Sequence, residues 1–215
     1  MSVSANRLLL VCLFAIAGYM AWDFQQKIYA NKGRLVVSQS DVVPGAVELL
    51  WSSEVDLPMA RRFYEAFDEW KDKTRGFVIR LNSPGGSLDE GRAVIEVIEN
   101  MKKTHRVDTY VGALENCLSM CVPIYLHGQR RLAHGKSRWM FHEPRSVDFF
   151  TDKAVKEPEF ERKRMVKKYV QKYFINSPIR KQWLDQLLKQ WGGKDVWLSG
   201  QQLVDTNSNV ITELR

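Results

Sequence analysis

Ser119, in Asn116-Cys117-Leu118-Ser119-Met120-Cys121, and His142, in Trp139-Met140-Phe141-His142-Glu143-Pro144, are the two side chains of this 215-residue chain best placed in motifs to do covalent chemistry. A serine hydroxyl attacks a carbonyl well only when a base takes its proton, and the oxyanion that forms needs N–H donors already in place. His142 is the candidate base. The donors would be the N–H of Met120, directly after the serine, and that of Gly86 in Asn82-Ser83-Pro84-Gly85-Gly86, which can approach closely because glycine has no side chain. These parts point to serine hydrolase chemistry. The residues alone do not single out a carboxylate to orient His142.

The elements that must position these residues can be read from apolar periodicity. The run Phe77-Val78-Ile79-Arg80-Leu81 reads as a buried strand, and the stretch 87–101 as a helix with Val94, Ile95, Val97, Ile98 and Met101 on its inner side. A strand that passes through Pro-Gly-Gly into a helix sets bare N–H groups at the carboxyl edge of a sheet, where anions are well received. Further strands are expected over 46–51, 107–111 and 138–141, with His142 at the end of the last. Further helices are expected over 58–70, from Ser119 to about His127-Gly128, over 158–174, and over 178–191 with Ser177 as its N-cap and Pro178 in its first position. Val196-Trp197-Leu198, a Ser199-capped segment through Leu203, and Val210-Ile211 complete the chain. Strands alternating with helices predict an α/β fold of repeated β-α-β units with a mostly parallel sheet, forming one domain over 46–215.

The N-terminal part differs in kind. Residues 8–22 are almost uninterruptedly apolar after Arg7, which reads as a signal peptide or signal anchor with its flank over 1–30, followed by a linker or edge element over 31–45. Ala15-Ile16-Ala17 has the small-x-small form of a cleavage site, but the apolar character continues through Trp22, which favours an uncleaved anchor helix. Lys27, Lys32 and Arg34 outnumber Arg7 and would hold the domain in the cytoplasm, whereas the signal-like segment and the cysteine pair favour an extracytoplasmic domain; the latter is the expectation here. Cys117 and Cys121 bracket Ser119. In a reducing compartment they would be small buried thiols; in an oxidising one they could form a bridge, if the turn brings their Cα atoms within about 7 Å.

Composition narrows the classes. An apolar fraction of 45% and a charged fraction of 27% suit a folded globular domain rather than a disordered chain. The net charge of +7 is concentrated in Arg162-Lys163-Arg164, Lys167, Lys168 and Lys172, which spread over more than one helix face and read as a solvated basic surface; no nucleic-acid partner is expected. His105, His127 and His134 have no ligand spacing, so neither a metal nor another cofactor is expected.

Taken in their joint order, these motifs resemble the proteolytic subunit of the Clp protease and its relatives in the ClpP/crotonase superfamily, over about 46–214. The match lies in Asn82-Ser83-Pro84-Gly85-Gly86 before a helix, the dipeptide Ser119-Met120, the stretch Met140-Phe141-His142-Glu143-Pro144, and Asp195-Val196-Trp197-Leu198-Ser199. The resemblance implies Ser119 as nucleophile, His142 as general base and acid, Asp195 as the orienting carboxylate, and the N–H groups of Gly86 and Met120 as oxyanion hole. It also implies a homo-oligomer acting on polypeptides. Asp205 is the competing carboxylate but fits the family's chain-end turn, and Glu143 adjoins His142 on a strand, where neighbours face opposite ways.

Cys117, Leu118 and Cys121 around the serine are more similar to membrane-associated or periplasmic ClpP-like proteins of bacteria. The segment 145–157, at the place of the family's ring-joining handle, is charged and aromatic rather than glycine-rich. The expectation is therefore a serine endopeptidase, membrane-anchored or exported, single-pass in a bacterial inner membrane with a periplasmic domain, that cleaves unfolded or membrane-associated polypeptides. The sequence does not specify an ATPase partner. The alternatives are a catalytically silent ClpP-like scaffold, a crotonase-type acyl-CoA hydratase or isomerase, and a Ser/Lys dyad in which Lys136 replaces His142 as base.

Overall fold

A computed structural model of the chain describes residues 14–16, 18–20, 35–146, 155 and 157–215. Its framework is a six-stranded sheet of β1 (Leu35–Gln39), β2 (Val47–Trp51), β3 (Gly76–Leu81), β4 (Arg106–Val111), β6 (Arg131–Ala133) and β9 (Glu213–Leu214), in that spatial order. β1 pairs antiparallel with β2 at one edge, and every other pairing in this sheet is parallel. β2, β3 and β4 are buried almost throughout, as expected of central parallel strands covered on both faces.

The helices bury the stripes their spacing predicts. α1 (Met59–Trp70) turns Met59, Phe63, Ala66 and Phe67 inward, an i, i+4, i+7, i+8 pattern. α2 (Leu88–Met101) buries Gly91, Val94, Ile98 and Met101. Its start is fixed by Ser87, whose side chain accepts from the Glu90 N–H, and Asp89 and Glu90 add favourable charge to the first turn. The remaining helices are α3 (Cys121–Leu126), α4 (Glu159–Tyr173), α5 (Lys181–Trp191) and α6 (Gly200–Asp205), the last closed by a capping box between Ser199 and Gln202.

A second, smaller sheet carries the candidate site residues. In it β5 (Asn116–Leu118) runs parallel to β7 (Arg138–Phe141), which pairs antiparallel with β8 (Val196–Ser199). Backbone bonds from Ser83 N–H to Asn116 O (2.7 Å) and from Leu118 N–H to Ser83 O (3.0 Å) stitch this sheet to the end of β3. Asn82 contributes a side-chain bond, its Oδ1 accepting from the Asn116 N–H at 3.0 Å.

Several expectations are corrected. The helix expected from Pro178 begins at Lys181 with Arg180 as N-cap. The Ser177 hydroxyl donates to Phe174 O at 2.8 Å and accepts from the Ile179 N–H at 3.4 Å, ahead of the helix rather than at its N-cap. Val210 and Ile211, to which the sequence assigns no element, are buried ahead of a last strand, Glu213–Leu214, that sequence reasoning missed. Of the two forms expected for 31–45, linker or edge element, the structure has the edge element, the strand β1. The expected anchor over 8–22 and the handle over 145–157 lie largely outside the described residues; 14–16 and 18–20 are helical, and no helix among the described residues is long and apolar enough to cross a membrane.

Candidate active site

The register of the small sheet brings the candidate nucleophile and the candidate base together. Leu118 on β5 pairs with Met140 on β7, so Ser119, one residue further, and His142, two residues further, leave the sheet at the same end. His142 Nε2 and Ser119 Oγ lie 2.6 Å apart. With the ring neutral and its proton on Nδ1, Nε2 accepts from the serine hydroxyl, the arrangement general-base activation requires.

Ser119 adopts φ 53, a left-handed conformation that costs a non-glycine residue roughly 1–3 kcal/mol and persists only where its surroundings enforce it. Three constraints do so. The Ser119 N–H donates to Met140 O at 2.9 Å, and Val122 N–H donates to Ser119 O at 3.0 Å. Cys117 and Cys121 form a disulfide across the turn, their Cα atoms 5.2 Å apart. Of the two states the sequence left open, the structure has the bridged one.

The Pro-Gly-Gly turn lies directly on the nucleophile. A Cβ at Gly85 (φ +91) would stand 2.6 Å from both Leu118 O and Ser119 Cβ and 3.0 Å from Met120 N. A Cβ at Gly86 would collide with Val55 O, which pairs with this turn through Ser87 N–H at 2.7 Å. Among the described residues the N–H groups of Gly86 and Met120 meet no acceptor, and Met120 occupies the N-cap of α3. Unpaired N–H groups beside a nucleophile are what an oxyanion hole requires.

The carboxylate is placed differently from the base. The last β7–β8 pair is Phe141 with Val196, so His142 and Asp195 follow it on opposite strands, one residue beyond. The Asp195 carboxylate accepts from Arg145 Nη2 at 2.6 Å. Among the described residues no hydrogen bond joins Asp195 to His142, and His142 Nδ1 is buried without a partner. The imidazole is held below its ordinary pKa of 6.5, chiefly by burial and next by the Arg145 cation, with the Asp195 charge opposing them.

The other candidates lie elsewhere. Glu143 accepts from Arg162 on α4 at 2.5 Å, and Asp205 accepts from Gln201 at the end of α6. Lys136 precedes β7 and so stands at the end of the small sheet opposite to Ser119. Among the described residues no group of His, Cys, Asp and Glu could hold a metal ion. Sequence reasoning missed Arg145, for which the only signal was a cation three residues after the base.

A family model, Clp protease, matches residues 47–205. The chain belongs to the Clp protease family. As a member it is a serine-type peptidase, a hydrolase with the mixed α/β ClpP-like fold. Among solved structures, a point mutant of ClpP1 from Listeria monocytogenes is similar to it with a TM-score of 0.58 at 18% sequence identity, covering 78% of this chain and 90% of that one. At that identity the likeness concerns the fold. No curated protein sequence matches the chain. Members of the Clp protease family bind polypeptide substrates and form homo-oligomers.

Proposed function

We propose that this Clp protease family member is an endopeptidase whose nucleophile is Ser119 and whose general base is His142, acting on unfolded or membrane-associated polypeptides. The observation that carries this reading is the 2.6 Å approach of Ser119 Oγ to His142 Nε2 on a serine held at positive φ. Ser119 Oγ attacks the scissile carbonyl while Nε2 takes its proton. The oxyanion is received by the N–H groups of Met120 and Gly86, and the imidazolium returns the proton to the leaving amine. Water then repeats the sequence on the acyl-enzyme. Asp195 is the orienting carboxylate in this reading, which requires it to exchange Arg145 for His142 Nδ1.

The test is covalent labelling of the full-length chain with a fluorophosphonate, which reacts with activated serines. Wild type reacts, Ser119→Ala does not, and His142→Ala reacts at least about a hundredfold more slowly. A catalytically silent scaffold, a reading that draws on the Arg145–Asp195 pair, predicts that all three stay unlabelled.

The same proposal places the domain outside the cytoplasm, tethered by residues 8–22 and assembled with copies of itself. It is supported by the apolar character of that segment and by a disulfide at the nucleophile, since such bonds persist in oxidising compartments. The full-length chain should then remain with membranes through alkaline carbonate washing; its release into the wash would contradict the anchor.

A further inference from the structure

Beside the Ser119–His142 pair lies a cavity of about 380 Å³ that the peptidase mechanism does not use. It opens between the chain leaving the Gly86 turn, through Leu88 and Asp89, and the chain leaving His142, through Pro144, Arg145 and Ser146. Its floor is α4, with Met165 and Tyr169 supplying apolar surface and Lys168 and Lys172 supplying cations. Three cations therefore face one carboxylate, Asp89. Of the three, Arg145 is bound to Asp195 at 2.6 Å and Lys172 Nζ lies 5.3 Å from the centre of the Tyr173 ring.

One guanidinium thus belongs to two places. It lines the cavity, and it holds the carboxylate that follows His142 across the β7–β8 register. His142 Nδ1 is buried without a partner while Asp195 is held in this way. A buried unpaired donor costs free energy, so release of Asp195 has a ready acceptor role to fill. An anion entering the cavity would compete for Arg145, which holds Asp195 through one Nη2 hydrogen bond and pairs best with a carboxylate that engages its fork bidentately.

We propose that Arg145 sets the substrate preference of this peptidase: a carboxylate side chain on the residue supplying the scissile carbonyl enters the cavity, takes the guanidinium, and frees Asp195 to accept from His142 Nδ1. The inference rests on the peptidase reading of Ser119 and His142. Arg145 acts on the chemistry through Asp195 and is a positioning residue as well as a specificity determinant. Lys168 and Lys172 add attraction for the same acid. Neutral peptides leave the Arg145–Asp195 pair closed and are cut slowly.

The test compares two peptides that differ only in Glu or Gln at the residue supplying the scissile carbonyl, using the full-length chain. In wild type the Glu peptide should have the higher kcat/KM by about tenfold or more, with the difference carried largely by kcat. Arg145→Gln should erase the preference and raise turnover of the Gln peptide, and Arg145→Lys should restore part of the preference. Equal kcat/KM for the two peptides in wild type, or a preference that survives in Arg145→Gln, overturns the inference and leaves the peptidase reading standing. No cleavage of either peptide, together with a Ser119 that no fluorophosphonate labels, overturns both.

Discussion

At His142, burial and the Arg145 cation act in the same direction. The ring is removed from water and the Arg145 cation stands near it, and together these outweigh the opposing charges of Asp195, which is paired with that cation, and of Glu143. Burial and the Arg145 cation disfavour the imidazolium and prevail, so the ring stays neutral at pH 7 and can accept the Ser119 proton. The acid limb of the kcat/KM profile should therefore have its midpoint below the ordinary 6.5. Arg145→Gln removes a repelling cation and releases Asp195, both of which favour the protonated ring, so its midpoint should move up. The nearby Glu143 carboxylate is tied to Arg162 and is common to both proteins. Linkage gives the matching sign for stability: with the folded pKa below the unfolded one, the unfolded state binds more protons in that window, and stability falls as pH is lowered through it. A midpoint unchanged by Arg145→Gln, read from the rate profile or from the His142 resonance, would contradict this electrostatic picture.

At the scale of elements, the turn between β5 and α3 holds the nucleophile, and the disulfide Cys117–Cys121 spans it. Closing so short a loop constrains the unfolded chain modestly, by about 2 kcal/mol on the chain-entropy estimate. Its larger consequence is local, because the bridge is one of the constraints that keep Ser119 at positive φ. Reduction, or paired Cys117→Ala and Cys121→Ala, should lower unfolding free energy by about 2 kcal/mol and slow Ser119 acylation by more than that loss of fold explains. Denaturant titration and labelling rate, measured on the same sample, separate the two effects; an acylation rate indifferent to reduction would show that the bridge does not hold the serine.

These elements also explain what could and could not be read from the sequence. α2 was legible because its apolar stripe, its Ser87 cap and the preceding Pro-Gly-Gly agree. His142 was legible because it ends a strand-like run, and Ser119 because of its motif with Met120. β5 and β6 were not, since three residues carry no period, and β5 is placed by Asn82 and Ser83 from far along the chain. The start of α5 was misread because Ser177 has a second use for its hydroxyl within the preceding turn. The Arg145–Asp195 pair joins residues fifty positions apart and depends on the β7–β8 register, which no local pattern reveals.

For the whole molecule, the large parallel sheet acts as a platform and the small sheet as the device that crosses its edge. Membership of the Clp protease family fits that division, and Ser119 stands at the junction of the two. Around the junction lie the bridged turn that carries Ser119 and the Arg145–Asp195 pair. The central claim is that Ser119 is a nucleophile made reactive by His142. Its most direct test is fluorophosphonate labelling of the full-length chain, followed by mass spectrometry of the modified peptide. A single adduct on Ser119, absent in Ser119→Ala and slowed at least about a hundredfold in His142→Ala, is the predicted result. A folded wild-type chain that takes up no label, or takes it up equally well without His142, would contradict it.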